Sequence, residues 1–370
     1  MRTLDDLRRS LDEHAGSAPD GFGMVERART GAGRIRRRRR ILQGAAAVVA
    51  VLATAVAVPV ALRERASAPI APAAKPYRTA EQYSLTLAAD SAFVVPWHTL
   101  DRTRQILSVA NAAAVVADRP EEVGGNTGAQ VVAFDPGVFD PADLRAGEAV
   151  TVSGQRAWYA AALPFDYATV LPMVDTTPIR MNVPAVGWEG ASGVWIVVYR
   201  PQRSTPAAST RAELLEVARD VRLRDTLETV RSPFHLGWLP SGLTADALEL
   251  HDLAQLAGKS VSVAFGDGTD ARALSVMAQP AAGDRDWETI RPELGEPEKV
   301  AGYDVWYQTE KASGLVPGEG GSVTSVVAGT CHLSISVEDR NRITEADVHR
   351  LLTGLTLGKC ADVSTWRALL

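Results

Sequence analysis

Thr344-Glu-Ala-Asp-Val-His-Arg-Leu-Leu-Thr-Gly-Leu-Thr-Leu357 repeats, without a gap, the pattern of Thr210-Arg-Ala-Glu-Leu-Leu-Glu-Val-Ala-Arg-Asp-Val-Arg-Leu223. Leu214, Val217, Ala218, Val221 and Leu223 fall opposite Val348, Leu351, Leu352, Leu355 and Leu357. Apolar residues at i, i+3, i+4 and i+7 make one helix face laid on a sheet. Each stretch opens with a Thr N-cap and a carboxylate three residues on, Glu213 or Asp347, the capping-box pattern. Three further landmarks precede the helices in the same order. Phe93-Val-Val-Pro-Trp97 lines up with Phe234-His-Leu-Gly-Trp238, and Val152-Ser-Gly154-Gln-Arg-Ala-Trp158-Tyr159 with Val300-Ala-Gly302-Tyr-Asp-Val-Trp306-Tyr307. Gly193–Tyr199 then lines up with Cys331–Val337. Such self-similarity points to two copies of one supersecondary unit.

The expected fold class is therefore α+β: two tandem antiparallel-sheet-plus-helix modules, over 77–225 and 226–370. Val261, Val263 and Phe265 alternate with Ser260, Ser262 and Ala264, and Gly266-Asp-Gly268 turns the chain toward a strand around Ala273–Met277. Leu333, Ile335 and Val337 alternate with Ser334, Ser336 and Glu338, giving one buried and one wet face. Val194-Trp-Ile-Val-Val198 is apolar on both faces, as a central strand or one covered twice would be.

The N-terminal quarter is built differently. Ile41 to Leu62 is 22 residues without a charge. As a helix it reaches roughly 33 Å, enough for a hydrocarbon core of ~30 Å, and is expected to be a single transmembrane helix. Arg34, Arg36, Arg37, Arg38, Arg39 and Arg40 abut its start, against Arg63 and Arg65 beyond its end. The positive-inside rule then leaves residues 1–40 in the cytoplasm and carries 63–370 across the cell membrane. The basic region is too long for an ordinary signal peptide, so an uncleaved signal anchor is expected; Ala66-Ser-Ala68 keeps cleavage open. Residues 63–76 are an Ala/Pro linker. In the basic head, Leu4, Leu7 and Leu11 form a short amphipathic helix suited to a cytoplasmic protein partner, or a surface-lying tail.

Charge follows the same division. Residues 1–40 hold eleven Arg against six acids, so of the overall net charge of −5 the part beyond residue 62 carries −10. An acidic body argues against nucleic-acid binding. The only cysteines, Cys331 and Cys360, flank the last strand and the last helix. In an exported body they are expected to form a disulfide, with free structural thiols as the alternative. Catalysis by Cys331 with His332 is disfavoured because strand neighbours face opposite ways.

No reactive constellation appears. His14, His98, His235, His251, His332 and His349 show no metal-ligand spacing, and there is no nucleophile elbow or P-loop. Asp267-Gly-Thr-Asp270 reads as a hairpin turn rather than a calcium loop. No cofactor, metal or enzymatic activity is expected.

Trp238-Leu-Pro240-Ser-Gly242, the strand leading to Gly302 and the helix capped by Thr344 resemble the uncharacterised extracytoplasmic α+β domain of bacterial membrane-anchored anti-sigma factors, over about 235–357. Carriers of outer-membrane lipoproteins and periplasmic sigma-factor regulators have a comparable design. The whole layout is similar to actinobacterial single-span proteins with a Leu/Arg-rich head. A zinc-binding anti-sigma head would need His-x₃-Cys-x₂-Cys, whereas this head has His14 and no Cys. The resemblance implies a non-catalytic binding or sensing body with an extracytoplasmic ligand, in a regulatory protein. The alternative is a membrane-anchored carrier or binding module for a lipid, lipoprotein or other envelope component.

Overall fold

Alternating apolar and polar residues, cut at short intervals by Gly and Asp turns, produce antiparallel strands throughout the described chain. The computed structural model describes residues 77–112, 128–166, 180–200, 207–253, 258–268, 272–282, 284–309 and 322–370. The expected head, membrane span and linker, with Arg34 and Arg36 to Arg40, lie outside these residues. No described helix is long and apolar enough to cross a membrane.

The first half contains β1 (Gln82–Leu87), β2 (Phe93–Asp101), β3 (Arg104–Asn111), β4 (Ala129–Phe134), α1 (Ala142–Arg145), β5 (Glu148–Val152), β6 (Gln155–Asp166), β7 (Arg180–Glu189), β8 (Trp195–Tyr199), α2 (Ala207–Asp220) and β9 (Val221–Thr229). The second contains β10 (Arg231–Ser232), β11 (Phe234–Leu236), β12 (Thr244–Leu253), β13 (Gly258–Gly266), β14 (Arg272–Pro280), α3 (Arg285–Ile290), β15 (Glu298–Val300) and β16 (Tyr303–Thr309). It ends with β17 (Ser322–Ala328), β18 (Cys331–Val337), α4 (Glu345–Gly354), β19 (Leu355–Leu357) and β20 (Arg367–Ala368).

Fourteen strands make one sheet, in the order β15-β16-β17-β18-β14-β13-β12-β2-β3-β4-β8-β7-β6-β5. Where two tandem sheets were expected, the chain forms a single continuous one. β2 and β12 join antiparallel at its middle, Thr99 opposite Glu249, and from that seam outward the strand order runs the same way in both directions. Three two-stranded ladders complete the architecture: β1 with β9, β11 with β19, and β10 with β20. Ala74–Leu370 is one compact unit, and its described residues form three cores.

The ladders correct the sequence alignment in three places. Trp158 pairs with Gly187 and Trp188 with Ile196, while Trp306 pairs with Ser325 and Val326 with Leu333. Ile196 thus corresponds to Leu333 and Val194 to Cys331, one residue away from the Gly193–Cys331 match. Phe93 and Trp97 lie on β2 in the main sheet, whereas Phe234 lies on β11 and pairs with Leu357. The counterpart of Phe234 is Leu85, which pairs with Leu223. Finally, α2 starts at Ala207, so Thr210 is inside the helix and buried rather than capping it. Both helices also stop short of the expected Leu223 and Leu357, because the chain leaves them directly into β9 and β19.

In the second half the capping box forms as expected. Asp347 N–H donates to Thr344 Oγ1 (3.2 Å), and Thr344 N–H donates to Asp347 Oδ2 (2.9 Å). The Thr344 hydroxyl, which donates to Asp347 Oδ2 (2.7 Å), and the Thr344 N–H together hold the Asp347 carboxyl below its usual range.

Burial follows strand alternation. In the first half, Val131, Ala133, Ile196 and Val198 face α2 and pack with Leu214, Val217 and Ala218. Val132, Phe134, Trp195, Val197 and Tyr199 build a separate core on the opposite face with Leu144 of α1. The sheet there is apolar on both sides. In the second half, Val261, Val263, Val276, Leu333 and Ile335 pack beneath α4, and the reverse face carries half-buried Ser260, Ser262, Ser275, Ser334 and Ser336.

Candidate functional site

The helix–sheet junctions of the two halves end differently. Beside the C-terminal end of α2 lies a cavity of about 340 Å³. Its floor is Val152, Trp188, Ile196, Ala218, Val221 and Leu223. Ser153, Gln155, Arg222 and Asp225 stand in its wall as the polar groups. Arg222 Nη1 donates to the carbonyls of Arg219 (2.6 Å) and Val221 (2.9 Å), which parks the guanidinium on the end of the helix. The turn between β5 and β6 holds Ser153 at φ +48° and Gly154 at φ +81°, which brings Gln155 to the rim.

In the second half the same place is filled. The correspondence puts Leu352 at Ala218 and Tyr303 at Gln155. Leu352 is fully buried, and Tyr303 packs against the core with its hydroxyl donating to the carbonyl of Leu355 (3.0 Å). A bulkier side chain at two positions outweighs the smaller Val326 at the position of Trp188. Cys331 and Cys360, in the places of Val194 and Thr226, are bonded to each other with their Cα atoms 5.2 Å apart. That cross-link ties the segment after β19 to the start of β18. Trp366 and Leu369 then join the core, and the Leu236 N–H donates to the Leu369 carbonyl (2.9 Å).

A shallower hollow of about 610 Å³ lies at the crossover between the halves, near Glu228–Arg231 and Trp366–Ala368. Glu228 in its wall is already engaged by the Tyr83 hydroxyl (2.8 Å) and by Arg224. Its apolar lining is limited to Val230, Trp366 and Ala368.

Two buried polar clusters lie elsewhere. His332 Nδ1 is 2.6 Å from Asp284 Oδ2, the Trp287 N–H donates to Asp284 Oδ1 (3.0 Å), and Gln279 Nε2 donates to Asp284 Oδ2. Trp287 stacks on His332 with centroids 4.3 Å apart and meets Trp306 edge-on. Burial raises the Asp284 carboxyl, but the donors from His332, Trp287 and Gln279 together outweigh it and leave the group below its ordinary range. This cluster pins α3 to the outer face of the sheet. Asp284 caps that helix, which is a structural task.

The other cluster anchors the beginning of the body. Arg78, its side chain inaccessible, donates from Nε to Asp135 Oδ1 (3.0 Å) and from Nη1 to the carbonyls of Thr79 and Gln82. Burial lowers the Arg78 pKa and raises that of Asp135. Gln105 Oε1 accepts the Ser84 (2.8 Å) and Leu85 (2.9 Å) N–H groups, at the point where the register of β1 with β9 shifts. His98 meets Tyr83 edge-on, and burial followed by the nearby Arg78 charge drives its pKa down to about 3.

Of the residues singled out from sequence, Cys331 and Cys360 are brought together and the arginine cluster lies outside the described residues. Among the described residues no three His, Cys, Asp or Glu converge as a metal site would require. Asp267 pairs with Arg342 (3.2 Å) at the turn where Gly268 takes φ +88°. Tyr159 packs into the helix-side core and Trp158 against the opposite one, while Trp306 is buried under Trp287 and Tyr307 is exposed. The cleft escaped the sequence reading, although its signal was in the alignment: Ala218 against Leu352, and Gln155 against Tyr303.

No family model matches this chain, and no curated protein matches it. Among the solved structures that align with it are MucB in complex with the periplasmic part of MucA, and the MucA/MucB complex of Pseudomonas aeruginosa. Each is 12% identical, covers 72% of this chain and 93% of that chain, and has a TM-score of 0.21. A score of that size carries no argument about this chain.

Proposed function

We propose that this chain is a single-pass membrane protein with a cytoplasmic N-terminus and a non-catalytic extracytoplasmic body that binds or senses a ligand and regulates through its head, as an anti-sigma-like protein does. The observation that carries the reading is the Cys331–Cys360 bond, which cross-links two buried residues of the body. Such bonds persist in oxidising, exported compartments. It agrees with the charge-free run Ile41–Leu62 behind Arg34–Arg40, which directs the body outward and contacts the lipid bilayer.

The test is a topology reporter. A periplasmic phosphatase fused after Leu370 is active if the body is exported, and becomes inactive when Arg36 to Arg40 are moved to the far side of the span. Activity only of a fusion before Arg34 refutes the orientation. Capture of a cytoplasmic protein by residues 1–40, lost on deleting 1–33, separates regulation from simple anchoring.

The second reading is a membrane-anchored carrier or binding module for a lipid, lipoprotein or other envelope component. The open cleft at α2 favours it.

A further inference from the structure

We infer that the cleft at the end of α2 is a binding site for a free single-chain amphiphile, and that its counterpart in the second half is a permanently closed scaffold. The inference deepens the reading of the body as a binding domain and rests on it. The argument comes from two places in one chain that share ladder register but not filling.

Both sites are built by the same elements: the strand before the Gly turn, the two following strands, and the helix with the strand that leaves it. In the second half, Leu352 and Tyr303 occupy the space, Tyr303 bonds the Leu355 carbonyl, and Cys331–Cys360 holds the outgoing segment down. In the first half those three devices are Ala218, Gln155 and the pair Val194 and Thr226. What remains is about 340 Å³ of space over an apolar floor. Protein interiors are otherwise close-packed, so space left over Trp188 and Ile196 forfeits contacts that a ligand would restore.

The occupant follows from size and chemistry. The volume is at the low end of the ~300–1,000 Å³ of small-molecule sites, room for one hydrocarbon chain rather than several. The floor is side chains of Val, Trp, Ile, Ala and Leu. Polar side chains gather in the wall, with Ser153 and Gln155 exposed on the rim. A molecule with one apolar tail and one polar head matches that division. It seats the tail over Trp188 and leaves the head beside Gln155, Arg222 and Asp225.

The experiment uses Ala74–Leu370, the compact unit in which the three described cores lie. Binding of the fluorescent fatty acid cis-parinaric acid is titrated against this body and against two variants that copy the second half, Ala218→Leu and Gln155→Tyr. The expected result is saturable one-to-one binding by the wild type, weakened about tenfold or more in each variant, with unchanged thermal unfolding. Should Ala218→Leu fail to fold, Gln155→Tyr on the exposed turn decides alone. Absence of saturable binding, or variants that bind as the wild type does, overturns the assignment. Binding only when phosphatidylglycerol vesicles are present overturns it too, because that is adsorption to a membrane surface. None of these failures touches the topology reporter, so export of the body stands or falls separately.

Discussion

Replacing both cysteines, Cys331→Ala with Cys360→Ala, probes the strap that closes the second half. The bond spans a sequence separation of 29. In the chain-entropy relation, a loop of about 30 residues costs the unfolded chain ~12 cal/mol/K, or about 3.6 kcal/mol at 25 °C. Both residues are buried in the core beneath α4, so lost packing adds to the entropic loss. The strap keeps other ties: Trp366 Nε1 donates to the Lys359 carbonyl (3.2 Å), Lys359 N–H donates to Thr365 Oγ1 (2.9 Å), and Leu369 stays in the core. The expected outcome is a body that still folds but is about 3–5 kcal/mol less stable in guanidinium denaturation. Amide exchange should accelerate first in residues 355–370 and β11, well before β12 to β14. Stability within about 1 kcal/mol of the wild type, or exchange that rises uniformly, would falsify the view that this cross-link pins the final segment to the sheet.

Further outcomes concern the buried charges and the packing. Arg78→Met leaves Asp135 buried without its guanidinium and should cost about 3–5 kcal/mol, whereas Arg78→Met with Asp135→Leu recovers most of it; urea titration of both decides. His98 is neutral when folded, with a pKa near 3 against 6.5 for the free side chain. The unfolded chain therefore takes up the extra proton, and stability falls as pH drops from about 6.5 toward 3. The slope is up to ~1.4 kcal/mol per pH unit, and His98→Phe should flatten it in acid melts. Asp284 titrates below its usual value, so its contribution is present above pH ~3.8 and is lost as pH falls through the lowered pKa; Asp284→Asn should remove that part of the acid transition. A methyl group on Gly187 would meet Leu144 Cδ2 at 2.5 Å and the Ile196 carbonyl oxygen at 2.9 Å. Gly187→Ala should therefore cost about 1–3 kcal/mol by thermal melting, an overpacking effect.

Period-2 alternation is a local property, and for that reason β13, β14 and β18 could be read directly from Val261–Phe265, Ala273–Met277 and Leu333–Val337. The capping box at Thr344 was legible too, because its partners lie three residues apart. Matching by motif failed where two strands share composition but not place. Phe93 and Phe234 begin similar pentapeptides, yet one sits in the main sheet and the other in the ladder beside α4. Hydrogen-bond register separates them, and register is not encoded in a five-residue pattern. The cleft was half legible: the small residue at 218 and the polar one at 155 stood in the alignment, but their meaning depends on which side chains share a volume.

Sequence by itself determined the antiparallel strands, the two helices with their apolar faces, the doubling of landmarks and the pairing partners available to the cysteines. Each rests on spacing along the chain or on residue chemistry. Only the tertiary structure decided that the two halves share one fourteen-stranded sheet through β2 and β12. It also decided that Cys331 and Cys360 meet, and that one helix–sheet junction is packed shut while the other stays open. Those outcomes depend on contacts between residues far apart in sequence, where backbone hydrogen bonding at a strand edge and the volumes of facing side chains select among arrangements that local pattern leaves equivalent.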